Sequence, residues 1–228
     1  PALAGFLIAI FDLETTFFIA MLTYIPLIPV LIYMPLRSRK KASKVINNYY
    51  EQLIEGAKLA LNTPIIFKSL FIVFINAFFV RGMLEIQPTI AGEILNASST
   101  SLSLITVTAG VGALLASIWI GISKNDGMKR IKTLVPMLFI GLIMSSIIAL
   151  TSNLFIMSFL FIFIGFSTTT VGIGTQTIIQ LEVDDLYRAR VLTWWSSTSF
   201  GALTIGGVLL GSIGEFIPLS YAMLIMPI

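Results

Sequence analysis

Neither cysteine nor histidine occurs anywhere in the 228 residues. Without cysteine there is no disulfide framework, no thiolate nucleophile and no Cys-ligated zinc site. Without histidine the commonest general base and the usual physiological-pH switch are missing. Charge is sparse as well, with Lys, Arg, Asp and Glu together making 11% of the chain, where a soluble domain carries about a quarter. No Walker-type phosphate loop is present, so direct ATP drive needs a separate domain or subunit. These absences remove most catalytic constellations, and the chain reads as a non-enzyme with no catalytic residue, no cofactor and no metal site.

What is there is apolar. Hydrophobic residues make 57% of the chain and the mean hydropathy is +0.97. The apolar runs recur along the whole length and reach the ~20 residues that cross a ~30 Å hydrocarbon core. The expected fold is therefore all-α, a polytopic transmembrane helix bundle whose first partner is the lipid bilayer.

Pro1 to about Phe11 is an apolar helix already under way, with no initiator Met, basic flank or cleavage site, which reads as a chain opening in mid-helix. A second run extends from about Thr15 to Pro35 and stops at Arg37-Ser38-Arg39-Lys40-Lys41. From Ala42 to Leu61 the pattern changes: Ile46, Tyr49, Tyr50, Leu53, Ala57 and Leu61 recur at helical spacing while the charges fall largely elsewhere, as in an amphipathic surface helix. Asn62-Thr63-Pro64 breaks and restarts the chain. Spans are expected at 65–86, 99–122, 133–150, 154–179 and 191–214, and a last one begins near 217 and is still running at Ile228. Counting the two partial helices gives eight, in a chain expected to be truncated at both ends.

Of the fourteen Lys and Arg residues, thirteen fall at Arg37 to Lys68, Lys124 to Lys132, and Arg188 with Arg190. Only Arg81 lies with the intervening connections, which hold Asp12, Glu14, Glu85, Glu93 and Glu215. By the positive-inside rule the loops at 37–68, 123–132 and 180–190 are cytoplasmic, in a multi-pass plasma (inner) membrane protein. The net charge of +3 then reflects topology and lipid head groups, and nucleic acid is not an expected partner.

Thr169, Gly172 and Gln176 share one face of segment 154–179, a face that serves either as helix–helix glue or as the wall of a substrate cavity. Gly207 and Gly211 form a small-xxx-small pair suited to close helix packing, and Trp194 and Trp195 read as interfacial anchors. Arg81 and Glu85, four apart, either pair and mark a substrate or ion path or sit at the outer interface. No carboxylate falls at the middle of a visible span, so a coupling residue is Glu85 or lies elsewhere.

Several stretches together resemble the major facilitator superfamily, in particular its enterobactin-exporter-like and macrolide-efflux-like permeases. Pro1-Ala2-Leu3-Ala4-Gly5 is similar to the end of the Gly-Pro-x-x-Gly motif on the fifth helix of the family's exporters. Arg81-Gly82-Met83-Leu84-Glu85-Ile86-Gln87-Pro88, followed by Gly110-Val111-Gly112-Ala113, is similar to that branch's seventh and eighth helices. Glu182 to Val191, with its Arg188-Ala189-Arg190-Val191, is similar to the loop before helix eleven. The second-half copy of the family's Gly/Asp/basic loop is degraded: Gly121, Lys129 and Arg130 fit, but Asn125, Asp126 and Met128 do not.

The resemblance implies helices five to twelve of a two-half carrier working by alternating access. Residues 1–41 would be the last two helices of the N-terminal half, 42–64 a cytoplasmic amphipathic linker and 65–228 the C-terminal half. It implies Asn76, Thr169, Gly172 and Gln176 in the substrate cavity, and Arg81, Glu85, Arg188 and Arg190 in coupling or gating. Gly5, Gly110, Gly112, Gly207 and Gly211 would pack helices. The expected function is gradient-driven export, by a proton or other ion, of amphipathic small molecules, in a carrier that is monomeric when full length. The alternative is a non-transporting membrane subunit or a lipid-handling membrane protein.

Overall fold

The computed structural model describes residues 13–33, 49–94, 99–123, 127–218, 221 and 223–224. The chain divides into two compact units, Pro1–Asn47 and Asn48–Ile228.

In the first unit the run expected to be one continuous span is interrupted. Helix α1 (Leu13–Leu22) and helix α2 (Leu27–Tyr33) are joined by a turn at residues 23–26. Pro26 has no N–H, and its ring opposes the carbonyl of residue 22, so the α ladder cannot run through it. The turn tightens instead: Tyr24 N–H donates to the Met21 carbonyl at 3.1 Å and Ile25 N–H to that of Leu22 at 3.2 Å, while Thr23 Oγ1 donates to the Ala20 carbonyl at 2.6 Å. Pro1 to Phe11, with Gly5, lies outside the described residues.

The second unit opens with helix α3 (Tyr49–Asn62), the described part of the expected amphipathic helix. Five helices long and apolar enough to cross a membrane follow among the described residues. They are α4 (Pro64–Glu85), α5 (Ser99–Ile122), α6 (Gly127–Ile148), α7 (Leu154–Glu182) and α8 (Asp185–Phe216). Pro64 starts α4 at a position where its missing N–H costs nothing. Asn153 starts α7, its Oδ1 accepting from Phe155 N–H at 2.9 Å and Ile156 N–H at 3.2 Å.

Helix α4 is not uniformly α. Asn76–Arg81 forms a π-helical turn, a local widening that accommodates one extra residue per turn. A second π-helical stretch, Ile90–Ile94, follows the short helix Gln87–Thr89.

Helix α7 is the central element and packs on α5 and α6. Phe161, Ile164, Val171 and Ile178 are fully buried along it, against Ile105, Leu134 and Leu138. Large apolar side chains on the outer faces stay exposed, among them Leu114, Phe139, Phe155 and Val208. That outward apolar surface suits hydrocarbon, where no water drives apolar groups inward. Helix association then rests on close packing, and the glycines place it. A Cβ on Gly112 would lie 1.9 Å from the Ile162 carbonyl oxygen, and one on Gly165 would lie 2.0 Å from that of Ala109. The two backbones therefore meet reciprocally at the α5–α7 crossing. Gly206 on α8 meets the Phe78 carbonyl oxygen of α4 in the same way, at 2.5 Å. A Cβ on Gly110, Gly207 or Gly211 meets nothing within 4 Å among the described residues.

Helix α3 is held to α8. Arg190 Nη1 pairs with Glu55 Oε2, Trp194 Nε1 donates to the Leu53 carbonyl at 3.0 Å, and Gly56 lets the Arg190 backbone approach. Arg188 bridges the junction of α7 and α8, donating to the carbonyl of Val183, the C-cap residue of α7, at 3.3 Å and pairing with Asp185.

Two outcomes follow from this packing. Gly165→Ala should destabilise the purified protein by about 1–3 kcal/mol through overpacking, whereas Gly207→Ala should be neutral or up to about 1 kcal/mol stabilising; thermal unfolding in detergent measures both. Arg190→Ala should release α3, seen as faster hydrogen exchange of amides 50–62 with the amides of α7 unchanged.

Candidate functional site

Three of the seven hydroxyls of α7 are committed to their own helix, and Ser158 and Thr170 are buried without a partner. Thr168 Oγ1 donates to the Ile164 carbonyl at 2.8 Å, Thr175 Oγ1 to that of Val171 at 2.8 Å, and Thr177 Oγ1 to that of Ile173 at 2.7 Å. Ser167 Oγ reaches across to the Met137 carbonyl of α6 at 2.7 Å, beside Gly141. These bonds are the least costly way to hold a hydroxyl in hydrocarbon. Thr169 and Gln176 take no part in such bonds and instead border a hollow of about 330 Å³ between α4, α7 and α8.

The hollow gathers the four residues singled out in the sequence as cavity candidates. Asn76 comes from α4, and Thr169, Gly172 and Gln176 from α7. Asn76 is 2% exposed and its Nδ2 has no hydrogen-bond partner. An amide buried in this way costs about 1–3 kcal/mol. Gly172 leaves open space, since a Cβ there would meet nothing within 4 Å.

Arg81 joins the same wall through the π turn. It lies five positions after Asn76, a spacing that an α-helix of 3.6 residues per turn sends to different faces. The i→i+5 bonding of a π turn returns such residues to one side. Arg81 Nη1 donates to Ser199 Oγ of α8 at 3.4 Å, and its guanidinium carbon stands 5.4 Å from the Phe200 ring centroid. The pairing of Arg81 with Glu85, one of the two sequence expectations, is not formed. Glu85 is exposed and does not border the hollow.

Trp195 and Ser199 complete the wall from α8. Trp195 was expected at the interface; its Nε1 donates to Thr175 Oγ1 at 3.0 Å, which fixes the ring between α7 and α8. Their spacing of four put Trp195 and Ser199 on one helical face, but nothing in the sequence said which neighbour that face meets. Val73, Leu84 and Ile173 supply apolar lining. Arg188 and Arg190 lie away from the hollow, at the start of α8. Among the described residues no group of three or more acidic side chains is gathered where a metal ion could bind.

Membrane-length helices around a partly polar hollow define a multi-pass α-helical membrane protein of transporter type. Over residues 1–228 the chain matches the family model described as transmembrane secretion effector, and it belongs to that family of the major facilitator type. No curated protein and no solved structure matched the chain.

If Asn76 serves a ligand and not the packing, Asn76→Leu should leave the thermal midpoint unchanged or raise it, because the unpartnered amide is removed. A midpoint lowered by several degrees would assign Asn76 to the fold.

Proposed function

We propose that the protein is a secondary active transporter that exports amphipathic small molecules by alternating access, driven by a proton or other ion gradient. The observation that carries this reading is the convergence of uncommitted polar groups on one hollow. Asn76, Thr169 and Gln176 make no hydrogen bond to the described residues, whereas Thr168, Thr175 and Thr177 bond back onto α7 carbonyls. Ser158 and Thr170 of α7 are also unpartnered but lie off the hollow. Polar groups held unpaired at membrane depth are costly unless they meet water or substrate. The hollow's mixed lining, with Val73, Leu84 and Trp195 beside these groups, suits an amphipathic molecule.

In the same reading the chain sits in the plasma membrane with its basic loops cytoplasmic, and residues 1–41, 42–64 and 65–228 act as end of the first half, linker and second half. Arg190 and Glu55 then join linker to second half at the cytoplasmic side, a contact suited to gating. Glu85 remains the coupling candidate among the described carboxylates.

A second reading, a non-transporting or lipid-handling membrane protein, draws on an apolar groove of about 340 Å³ between α3, α4 and α8, lined by Leu61, Phe67, Phe71, Phe74 and Trp194. Thiol accessibility separates the two, helped by the absence of native cysteine. Thr169→Cys, Gly172→Cys and Gln176→Cys should react with a membrane-impermeant thiol reagent, and substrate-dependent extrusion from everted vesicles should collapse with the gradient. Three unreactive thiols, together with no gradient-dependent movement, would leave helix packing as the role of that face.

A further inference from the structure

We propose that the hollow selects substrates carrying an anionic group, such as a carboxylate, sulfonate or phenolate, on an apolar body, with Arg81 as the recognising charge. This deepens the transporter reading and rests on it. Among the residues that line the hollow, Arg81 alone is formally charged, and none is acidic.

The guanidinium is poorly matched where it stands. It is only partly exposed, and no carboxylate among the described residues forms an ion pair with it. Glu85, four residues on, is exposed and makes no such pair. The Arg81 side chain has five N–H donors in a planar fork, and its contacts are one 3.4 Å bond to Ser199 and the face of Phe200. Both are weak partners for a charge, and a charge drawn from water without a counter-ion is unfavourable. An anion in the hollow would satisfy the fork bidentately.

The neighbouring groups fit the same ligand. Asn76 Nδ2 is a buried donor without an acceptor on the same wall, and Gln176 brings a second amide. Val73, Leu84, Ile173 and the Trp195 ring leave an apolar surface beside them. A cationic amphiphile would meet like charge at Arg81 and find no carboxylate on this wall.

The test uses two dyes built on one xanthene core: fluorescein, an anion at mildly alkaline pH, and tetramethylrhodamine ethyl ester, a cation. Binding to the purified full chain is read by fluorescence anisotropy, and transport is followed separately in everted vesicles. The unmodified protein should bind fluorescein at least about tenfold more tightly than the cationic dye, the worth of one charge-assisted hydrogen bond. Arg81→Gln should erase that preference and Arg81→Lys should retain most of it. Equal or tighter binding of the cation, no binding of fluorescein, or a preference that Arg81→Gln leaves intact would each overturn the proposal. Because the dye preference of the unmodified protein is decisive by itself, a variant that fails to fold does not rescue it. Arg81-dependent fluorescein binding without transport would keep the anion site and remove the transporter reading. Transport of the cation without any fluorescein preference would do the reverse.

Discussion

Within a hydrocarbon layer no water is at hand to complete a hydrogen bond, and every polar group must find its partner in the protein. The second unit is organised by that constraint. Backbone groups close their bonds inside α4 to α8, and Ser and Thr hydroxyls fold back onto carbonyls one turn earlier, as at Ser69, Thr108, Thr168 and Thr175. A few side chains stay uncommitted, Ser158 and Thr170 singly and three others together. Asn76, Thr169 and Gln176 come from two helices and meet at a single hollow.

The same solvent removes the usual reason for apolar groups to cluster, so contact between helices depends on shape. Gly112 and Gly165 bring the α5 and α7 backbones together, and Gly206 brings α8 onto α4. These approaches position the walls of the hollow: α7 is held by α5 and α6 on one side, which leaves the face with Thr169, Gly172 and Gln176 toward α4 and α8. The Trp195–Thr175 bond closes α8 onto that face. Packing and site are thus one arrangement. Displacing the α5–α7 crossing would move the polar wall with it.

Nearer the start of α8, the Arg190–Glu55 pair and the Trp194–Leu53 bond tie the amphipathic α3 to the helix that carries Trp195 and Ser199. A movement of α3 would therefore be felt along α8. Within the alternating-access reading this gives the connecting helix a mechanical link to the site, through a helix that touches both.

Much of this was legible in the residues. Apolar run length determined the membrane class, because a helix that crosses ~30 Å of hydrocarbon needs about 20 apolar residues. The five membrane-length helices fall close to the expected spans, and the i, i+3 and i+4 spacing already set Thr169, Gly172 and Gln176 on one face. Other features depend on which surfaces meet. The break at Thr23–Pro26 replaced an expected continuous span, since run length registers hydrophobicity and not the missing proline N–H. Small-residue spacing singled out Gly207 and Gly211, yet close approach is found at Gly112, Gly165 and Gly206, because a glycine is used only where a backbone crosses it. The tertiary structure alone decided that Arg81 leaves Glu85 for Ser199 and joins Asn76. The π turn resets the helical phase between residues 76 and 81, and a periodicity of 3.6 read from the sequence has no means of registering that shift.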